Sequence, residues 1–327
     1  MEKKHLLVLI LFISFFIIQP LNANISIRED SKPIVVATTT VLGSFVKELA
    51  GDYLDVIEII PPGVCPAHYD VSPSDIQAIE NAKLILGHGF EPWLDDIIES
   101  TGTNASVHKL RSLGPWNIPT NAINYIYNIS QILSEEFPEL SSVVSERAEE
   151  IEEYINTTAI KLKEQADELN VSTIKVAVML WQAGFVSWLG FNVVATYPPP
   201  ETMSTEDILE ITSKIEQEGI TIIIDNLQSD PTFGAEIASQ AGIVHVVLTN
   251  FPDAVPGTGN YTEMIKYNAE QLFSGVNQSR LITGIIGDLR EQVTSLEFTN
   301  KILIGSTTIL GIIVIVEALV LIKKKGA

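Results

Sequence analysis

Residues 33–63 read PIVVATTTVLGSFVKELAGDYLDVIEIIPPG, and this stretch decides the fold class. The β-branched run PIVVATTT predicts a strand, and VLGSFVKELAG predicts a helix that ends at a glycine. YLDVIEIIPPG predicts a second strand that runs into a loop. A strand, a helix and a strand in this order are typical of a parallel sheet whose faces are covered by helices.

The same alternation continues downstream and then starts again in a second segment. SPSDIQAIENA predicts a helix, KLILGHG a third strand and SVHKL a fourth. After Ser172 the strands TIKVAVML, FNVVATY, ITIIIDN and IVHVVLTN alternate with the helices STEDILEITSKIEQEG and TFGAEIASQAG. We therefore predict an α/β protein of two lobes with parallel sheets, an N-terminal lobe over residues 31–138 and a C-terminal lobe over residues 170–285.

Residues 139–169 join the two lobes. Apolar side chains recur there at steps of three and four on a surface rich in Glu and Lys, namely Val144, Ala148, Ile151, Ile155, Ala159, Leu162, Ala166 and Leu169. This spacing predicts one amphipathic helix of about 45 Å. A coiled coil has similar spacing, but the α/β segments on both sides favour a rigid helix packed along both lobes.

Two apolar segments lie outside the lobes. Residues 1–23 combine a basic start with an apolar run and predict a signal sequence, with an uncleaved anchor helix as the alternative. Residues 302–322 are long enough to cross a bilayer core of about 30 Å, and residues 323–325 are lysines. The positive-inside rule keeps this tail in the cytoplasm, which places the lobes and a stalk over residues 286–301 outside the cell membrane.

The chain carries a formal charge of −21, which argues against nucleic acid or an anionic membrane as a partner. Its single cysteine does not follow the signal sequence, so the C-terminal helix and not a lipid is the predicted anchor. N-x-S/T sequons permit surface glycosylation of the exported region at Asn24, Asn104, Asn128, Asn156, Asn170, Asn260 and Asn277.

Ligands of parallel α/β sheets bind beyond the carboxyl ends of the strands, so the loops after the strands hold the candidate site residues. Cys65 and His68 follow the second predicted strand, and His88 follows the third. Asp225 lies at the end of a strand in the second lobe. Thiolate and imidazole groups are zinc ligands, and the Cys-x-x-His spacing together with the neighbouring strand ends makes Cys65, His68 and His88 candidate metal ligands. The same set of loops predicts a ligand pocket formed by Trp116, Trp181, Gln182, Asn226, Gln228 and Asp253.

Each candidate also has a structural interpretation. A single buried cysteine behaves as a small hydrophobic residue, and tryptophans at strand ends often serve packing. His108 and His245 lie within predicted strands, and we interpret both as structural. The sequence has no Ser-His-Asp arrangement, phosphate-binding glycine loop or HExxH motif, so it indicates a binding protein and not an enzyme.

Residues 33–273 resemble the metal-type (zinc/manganese) solute-binding proteins of ABC transporters. The opening stretch looks like that family's first strand, helix and second strand. YDVSPSDIQAIENAKLIL followed by EPWLD is similar to its signature after the first metal-binding loop, and TNAINYIYNISQIL resembles the start of its central helical region. LGFNVVATYPPPETMSTEDI, IIIDNLQSDPTFGAEIASQAG and GNYTEMIKYNAEQL match its second lobe in order. The resemblance implies two α/β lobes on one rigid helix with the metal between them.

At the positions that correspond to the family's metal ligands, this chain has other residue types. At the positions of the family's histidines and acidic ligands, this chain has Ala67, Gly114, Trp181 or Gln182, Asn226 and Asn250. His68 is displaced by one residue from the first of these positions. The resemblance therefore implies either a divergent metal site that uses Cys65, His68, His88 and Asp225, or a cleft that has taken another ligand.

The resemblance implies that the protein captures Zn²⁺ or Mn²⁺ as a transported ligand and delivers it to an ABC permease and its ATPase. The altered ligand positions leave two alternatives open. The same receptor architecture could bind a small organic ligand or a metal chelate, or the chain could be a surface protein that has lost transport.

Overall fold

The computed structural model describes residues 32–325, with side chains up to Leu319. The predicted signal sequence lies outside the described residues. The N-terminal lobe contains, in chain order, β1 (Ile34–Ala37), α1 (Thr40–Ala50), β2 (Asp55–Glu58), α2 (Pro73–Asn81), β3 (Leu84–Gly87), α3 (Leu94–Thr101) and β4 (Ser106–Lys109). Its four strands are all parallel and lie in the order β2-β1-β3-β4.

Two helices follow the first lobe, α4 (Pro119–Glu136) and α5 (Ser141–Glu168). Helix α5 has 28 residues, so the predicted connector over residues 139–169 is one helix with its ends shifted by one or two positions. Its buried face carries Val144, Ala148, Ile155, Leu162 and Ala166. These are residues of the predicted stripe, because side chains three or four positions apart share one face of a helix.

The C-terminal lobe repeats the architecture of the first. It contains β5 (Lys175–Met179), α6 (Ala183–Leu189), β6 (Asn192–Tyr197), α7 (Thr205–Glu218), β7 (Ile222–Asn226), α8 (Thr232–Ala241) and β8 (Val244–Leu248). These four strands are also parallel, in the order β6-β5-β7-β8. The predicted fold class, two parallel-sheet lobes joined by a long helix, is confirmed.

Helices α2 and α7 each begin with a reciprocal pair of hydrogen bonds between a serine and an aspartate. The hydroxyl of Ser72 accepts from the backbone N–H of Asp75, whose carboxylate accepts from the backbone N–H of Ser72. Ser204 and Asp207 form the same reciprocal pair at the start of α7. Each pair satisfies backbone N–H groups that have no partner within the helix.

A continuous hydrophobic core joins the two lobes. It contains Val35 from β1, Leu42 from α1, Ile155 from α5 and Ile222 from β7, all of them fully buried. Opening the lobes like a hinge would expose this shared core to water, at a free-energy cost of about 25 cal/mol per Å² of apolar surface. The two lobes therefore form a stiff body.

The final helix, α9 (Tyr261–Lys325), has 65 residues and leaves the body of the protein. Its first turns are buried in the shared core, with Met264, Ala269 and Val276 fully buried. Ile282 packs against the edge of the core, and from residue 283 to residue 319 every residue is exposed. The helix is long and apolar enough to cross a membrane. The predicted stalk and anchor are therefore parts of one helix that begins inside the C-terminal lobe.

Candidate ligand-binding cleft

A cavity of about 470 Å³ lies between the carboxyl ends of the two sheets. The loops that follow strands of both lobes provide its wall, as the rule for parallel α/β sheets predicts. The lining residues are Cys65, Pro66, Ala67, Phe90, Pro115, Trp116, Asn117, Leu180, Trp181, Gly184, Asn226, Gln228, Asn250 and Phe251. None of these side chains is acidic, basic or a histidine. The lining of this cleft is therefore neutral.

Aromatic rings form one side of the cleft. The indole ring of Trp116 stacks on Phe251 with 5.7 Å between the ring centroids, and on Phe90 with 6.2 Å. Behind this surface the imidazole of His88 stacks on Trp116 at 4.3 Å. Such contacts hold the indole in a fixed position, so the cleft presents a preformed flat aromatic face to a ligand.

Amide side chains form the polar part of the cleft. Gln182 Nε2 donates to Asn226 Oδ1 at 3.4 Å, and Asn117 Nδ2 donates to Asn250 Oδ1 at 3.3 Å. Three amide atoms of this group are buried without a hydrogen-bond partner among residues 32–325, namely Asn117 Oδ1, Gln182 Oε1 and Asn226 Nδ2. Buried polar atoms are nearly always paired, so these atoms beside the cleft are positions that a water molecule or a ligand would satisfy.

Hydrogen bonds tie the lobes together around the cavity. Trp116 Nε1 donates to the backbone carbonyl of Asn250 at 2.7 Å. Gln228 Nε2 donates to the carbonyl of Pro62 at 2.8 Å, and the hydroxyl of Thr40 donates to the carbonyl of Pro252 at 2.8 Å. These three hydrogen bonds therefore join the N-terminal lobe to the C-terminal lobe.

The structure does not bring the four predicted metal ligands together. Cys65 lines the cleft, but His68 is exposed and lies outside its lining, and His88 is buried behind the aromatic wall. Asp225 is fully buried in the second lobe. Among the described residues no group of three or more His, Cys, Asp or Glu side chains could hold a metal ion. The predicted four-residue coordination shell is thus corrected: its members follow the strands as expected, but their side chains do not converge.

His88 and Glu91 form a structural unit beneath the cleft. The Glu91 carboxylate accepts from the backbone N–H groups of His88 at 2.9 Å, Gly89 at 2.7 Å and Phe90 at 3.0 Å, and from the hydroxyl of Thr38 at 2.5 Å. Burial acts to raise the pKa of Glu91, but these hydrogen bonds and the nearby imidazole outweigh it and hold the pKa below its usual value. Burial lowers the pKa of His88 to about 4, so the imidazole is neutral at pH 7. The unit fixes the loop that carries Phe90.

Asp225 is a structural residue for a similar reason. Its carboxylate accepts from the hydroxyl of Tyr197 at 2.5 Å, from Nε2 of His245 at 2.7 Å and from the backbone N–H of Gly234 at 3.0 Å. These contacts join β6, β7, β8 and the start of α8. Because the carboxylate is occupied by three donors inside the lobe, Asp225 organises the lobe and does not face the cleft. His245 has the structural role that the sequence predicts.

Four of the six residues of the predicted ligand pocket line the cleft. These are Trp116, Trp181, Asn226 and Gln228. Gln182 is fully buried and does not line the cleft, but its Nε2 donates to Asn226 Oδ1. Asp253 is exposed and does not line the cleft; its positive φ of 63° belongs to a turn in which its N–H donates to the carbonyl of Thr258. The predicted site residues do not include nine of the lining residues, and four of these nine, Phe90, Asn117, Asn250 and Phe251, carry aromatic or amide side chains. All four lie in the loops that follow β3, β4 and β8, and that position is the signal by which they could have been found.

Cys65 lines the cleft as a buried thiol. Burial is the main cause that raises the pKa of this thiol, and the charge of Glu201 acts in the same direction against hydrogen bonds from the backbone of Ala67 and His68. The thiolate is the form that binds zinc, so this environment disfavours Cys65 as a ligand. The family positions implied by the resemblance, Ala67, Asn226 and Asn250, also line the cleft with side chains that carry no charge.

Comparisons with known proteins agree with the resemblance. The family described as ZnuA, zinc-uptake complex component A periplasmic, matches residues 35–275. The manganese-binding lipoprotein MntA of Halalkalibacterium halodurans is 23% identical over 279 residues, which cover 76% of this chain and 91% of MntA. The manganese ABC transporter substrate-binding lipoprotein PsaA of Streptococcus mitis is 22% identical over 306 residues, which cover 81% of this chain and 97% of PsaA.

Solved structures share the fold. The Mn-bound periplasmic metal binding protein of Candidatus Liberibacter asiaticus has a TM-score of 0.64 at 17% sequence identity, and the match covers 75% of this chain and 100% of that protein. The crystal structure of ZnuA gives the same TM-score of 0.64 at 15% identity, over 75% of this chain and 99% of ZnuA. The family match extends from β1 into the buried part of α9 and so includes both lobes and the cleft between them. The chain therefore belongs to the ZnuA family, the solute-binding proteins of metal ABC transporters, and is a binding protein and not an enzyme.

Proposed function

We propose that the protein is a membrane-anchored extracytoplasmic receptor that captures a transition metal in the cleft as a neutral organic chelate and delivers it to an ABC permease. The metal and the transporter in this proposal rest on the family match, since the family description names zinc uptake and the relatives MntA and PsaA are named for manganese. The observation that carries the proposal is the neutral wall of a cavity of about 470 Å³.

The cavity size supports a molecular cargo. Clefts of about 300–1,000 Å³ hold small organic ligands, whereas a bare divalent ion needs only a few ligand atoms around it. A bare ion also needs charged or imidazole ligands to replace its water, and the described cleft residues provide one thiol with a raised pKa. In a chelate the organic molecule already coordinates the metal ion, so the protein needs only a cavity of matching shape and groups that form hydrogen bonds.

The wall chemistry matches such a molecule. The face of Trp116 favours a flat or apolar group of the ligand. Asn117 Oδ1 and Asn226 Nδ2 offer one acceptor and one donor that lack partners among the described residues. Together these groups would orient a neutral ligand that has both hydrogen-bond donors and acceptors.

The long helix α9 supports the anchor. Its apolar part passes the length and composition requirements of a membrane span, and the helix is continuous with the C-terminal lobe. The anchor would keep the cleft near a permease in the same membrane. Fractionation tests this part: we expect the full chain in the detergent-extracted membrane fraction and a chain that ends at residue 301 in the soluble fraction.

Thermal unfolding of the full chain in detergent tests the cargo. The probes are ZnCl₂, MnCl₂ and the neutral bis(histidinato)zinc complex, each added to chelator-treated protein. A ligand at 100 times its Kd stabilises the native state by about 2.7 kcal/mol. We expect a higher Tm with the complex, no change with either chloride, and loss of the shift in Asn226→Leu. The matched control Asn128→Leu changes an exposed amide outside the cleft and should keep the shift.

Cargo bound to protein purified from its own cells gives a second readout. Elemental analysis together with native mass spectrometry should show one metal ion per chain, together with the small organic ligand that coordinates it. An organic molecule without metal would instead support the same receptor with a metal-free ligand. A rise in Tm with ZnCl₂ alone that persists in Asn226→Leu would contradict the chelate proposal.

A further inference from the structure

The part of α9 that leaves the body carries a regular apolar seam. Positions at alternating steps of three and four are mostly apolar, and leucine occurs at every seventh position. The seam consists of Ile286, Leu289, Val293, Leu296, Asn300, Leu303 and, within the apolar span, Thr307 and Leu310. All of these residues are exposed, and Leu289 and Leu296 are 54% and 67% accessible. Nothing within residues 32–325 covers this face.

We propose that this seam packs against the same seam of a second copy of the chain, so that the receptor is a parallel dimer joined through its stalk. In a heptad notation Leu289, Leu296 and Leu303 occupy d, and Ile286 and Val293 occupy a. β-branched residues at a with leucine at d favour two parallel strands. The parallel direction rests on the membrane anchor proposed above, since two chains anchored in one membrane enter it at the same residue.

Asn300 provides an independent reason for a two-stranded partner. It occupies the next a position after Val293, where a polar residue is unfavourable unless it meets its counterpart. A single asparagine at a fixes the register and the number of strands, at a cost in stability. On a helix that faces only water or an unrelated surface, an asparagine at this spacing would have no such role.

The residues that flank the seam do not oppose self-association. In a parallel pair the residues beside the seam meet as g with the following e of the partner. Gln292 then faces Glu297, and the apolar Ile285 faces the aliphatic part of Arg290. No like charges oppose each other there, and the acidic Asp288 and Glu291 lie on the outer face. The seam is thus compatible with a second copy of itself.

The same register continues into the span. The d position after Leu310 is Glu317, the single acidic residue of the predicted anchor. An ionisable residue within a membrane is expensive when it faces lipid and normally faces another helix. A dimer along this seam turns Glu317 away from lipid and toward the same residue of the second copy, where the two carboxyl groups are compatible when they share a proton in a hydrogen bond.

Single-molecule counting of the full chain in nanodiscs large enough for two copies tests the dimer. We expect two copies per disc for the wild type, and a loss of at least ten-fold in the dimer fraction for Leu289→Lys with Leu296→Lys. The matched control, Thr294→Lys with Phe298→Lys, adds the same charge on the outer face and should remain dimeric. Because the seam lies outside the lobes, the Tm of the lobes should be unchanged in both variants. This readout separates lost association from lost folding.

Oxidative cross-linking gives a positional readout. Leu296→Cys places thiols against each other across the seam, and oxidation by copper phenanthroline in air should yield a covalent dimer. Phe298→Cys on the outer face should not, and wild type sets the baseline because Cys65 is buried in the cleft. Equal cross-linking of the two variants would overturn the proposal. A wild type that is monomeric in nanodiscs would also overturn it, because the seam would then pack against a different protein. These results are independent of what the cleft binds.

Discussion

The indole Nε1 of Trp116 in the N-terminal lobe donates a hydrogen bond of 2.7 Å to the backbone carbonyl of Asn250 in the C-terminal lobe. One side chain thus provides the aromatic face of the cleft and also ties the lobes together. Trp116→Phe keeps an aromatic ring but removes this donor. We expect the free energy of unfolding to fall by about 1 kcal/mol and the bound cargo to be lost during purification.

Trp188→Phe is the control for that variant. Trp188 stacks on Phe185 in the second lobe and does not line the cleft. Chemical denaturation should show a loss of stability in both variants, while the cargo content measured by native mass spectrometry should fall only in Trp116→Phe. Equal cargo in the two variants would contradict the role of the indole in the cleft.

Cys65 reports on the occupancy of the cleft. Burial raises the pKa of its thiol, so little thiolate is present at pH 7, and alkylation should be slower than at an exposed site such as Ser100→Cys. Bis(histidinato)zinc should slow the reaction further, and ZnCl₂ should not. Time courses of maleimide labelling measure both effects. Protection by ZnCl₂ at micromolar concentration would show that the thiol takes part in binding a bare ion.

Asp225→Asn separates a structural carboxylate from a metal ligand. The carboxamide nitrogen would face groups that already donate, from Tyr197, His245 and Gly234. We expect a loss of about 2–4 kcal/mol in the free energy of unfolding, with unchanged cargo stoichiometry in the protein that remains folded. Asp167→Asn, an exposed substitution on α5, is the control and should leave stability unchanged within about 0.5 kcal/mol.

Glu48 on α1 sets a pH dependence of stability. Burial raises the pKa of its carboxyl group to about 7, and its Oε2 has no hydrogen-bond partner among the described residues. A raised folded pKa stabilises the fold at low pH, and this contribution is lost as the pH rises through about 7. Glu48→Gln should therefore gain up to about 3 kcal/mol over the wild type at pH 8 and little at pH 4.5.

Unfolding curves between pH 4.5 and 8 measure this difference. Glu99→Gln changes an exposed carboxylate on α3 and should follow the wild type at every pH. A constant offset between Glu48→Gln and wild type across the range would show that the carboxyl group is already ionised throughout. The titration of this one side chain would then not control the profile.

The sequence predicts the fold well because the patterns that determine it are local. Alternating strands and helices, the serine and aspartate pair at Ser72 and Asp75, and the stripe on α5 each depend on neighbours within a few residues. The position of the cleft also follows, because parallel strands all point their carboxyl ends to one side.

The direction of individual side chains does not follow from the sequence in the same way. His88 and Asp225 both lie at strand ends, where a ligand is expected. His88 turns inward beneath Trp116, and Asp225 meets three donors inside the lobe. These outcomes depend on contacts with residues far away in the chain, among them Thr39 and His245. A list of strand-end residues therefore identifies the cleft, but it does not separate the residues that line it from those that support it.

Helix α9 begins at the cleft, where the hydroxyl of Tyr261 donates to the carbonyl of Asn117 at 3.4 Å, and it continues without interruption to Lys325. The length of a continuous helix also determines how the part attached to its end is rotated about the helix axis. Each residue inserted into the exposed part of α9 would move the lobes by about 1.5 Å along the helix axis and rotate the open side of the cleft by about 100° about that axis. In the membrane-anchored receptor proposed above, inserting or deleting one residue in the exposed part of α9 would turn the open side of the cleft to a different direction relative to the membrane, whereas changes close to whole helical turns would preserve its orientation.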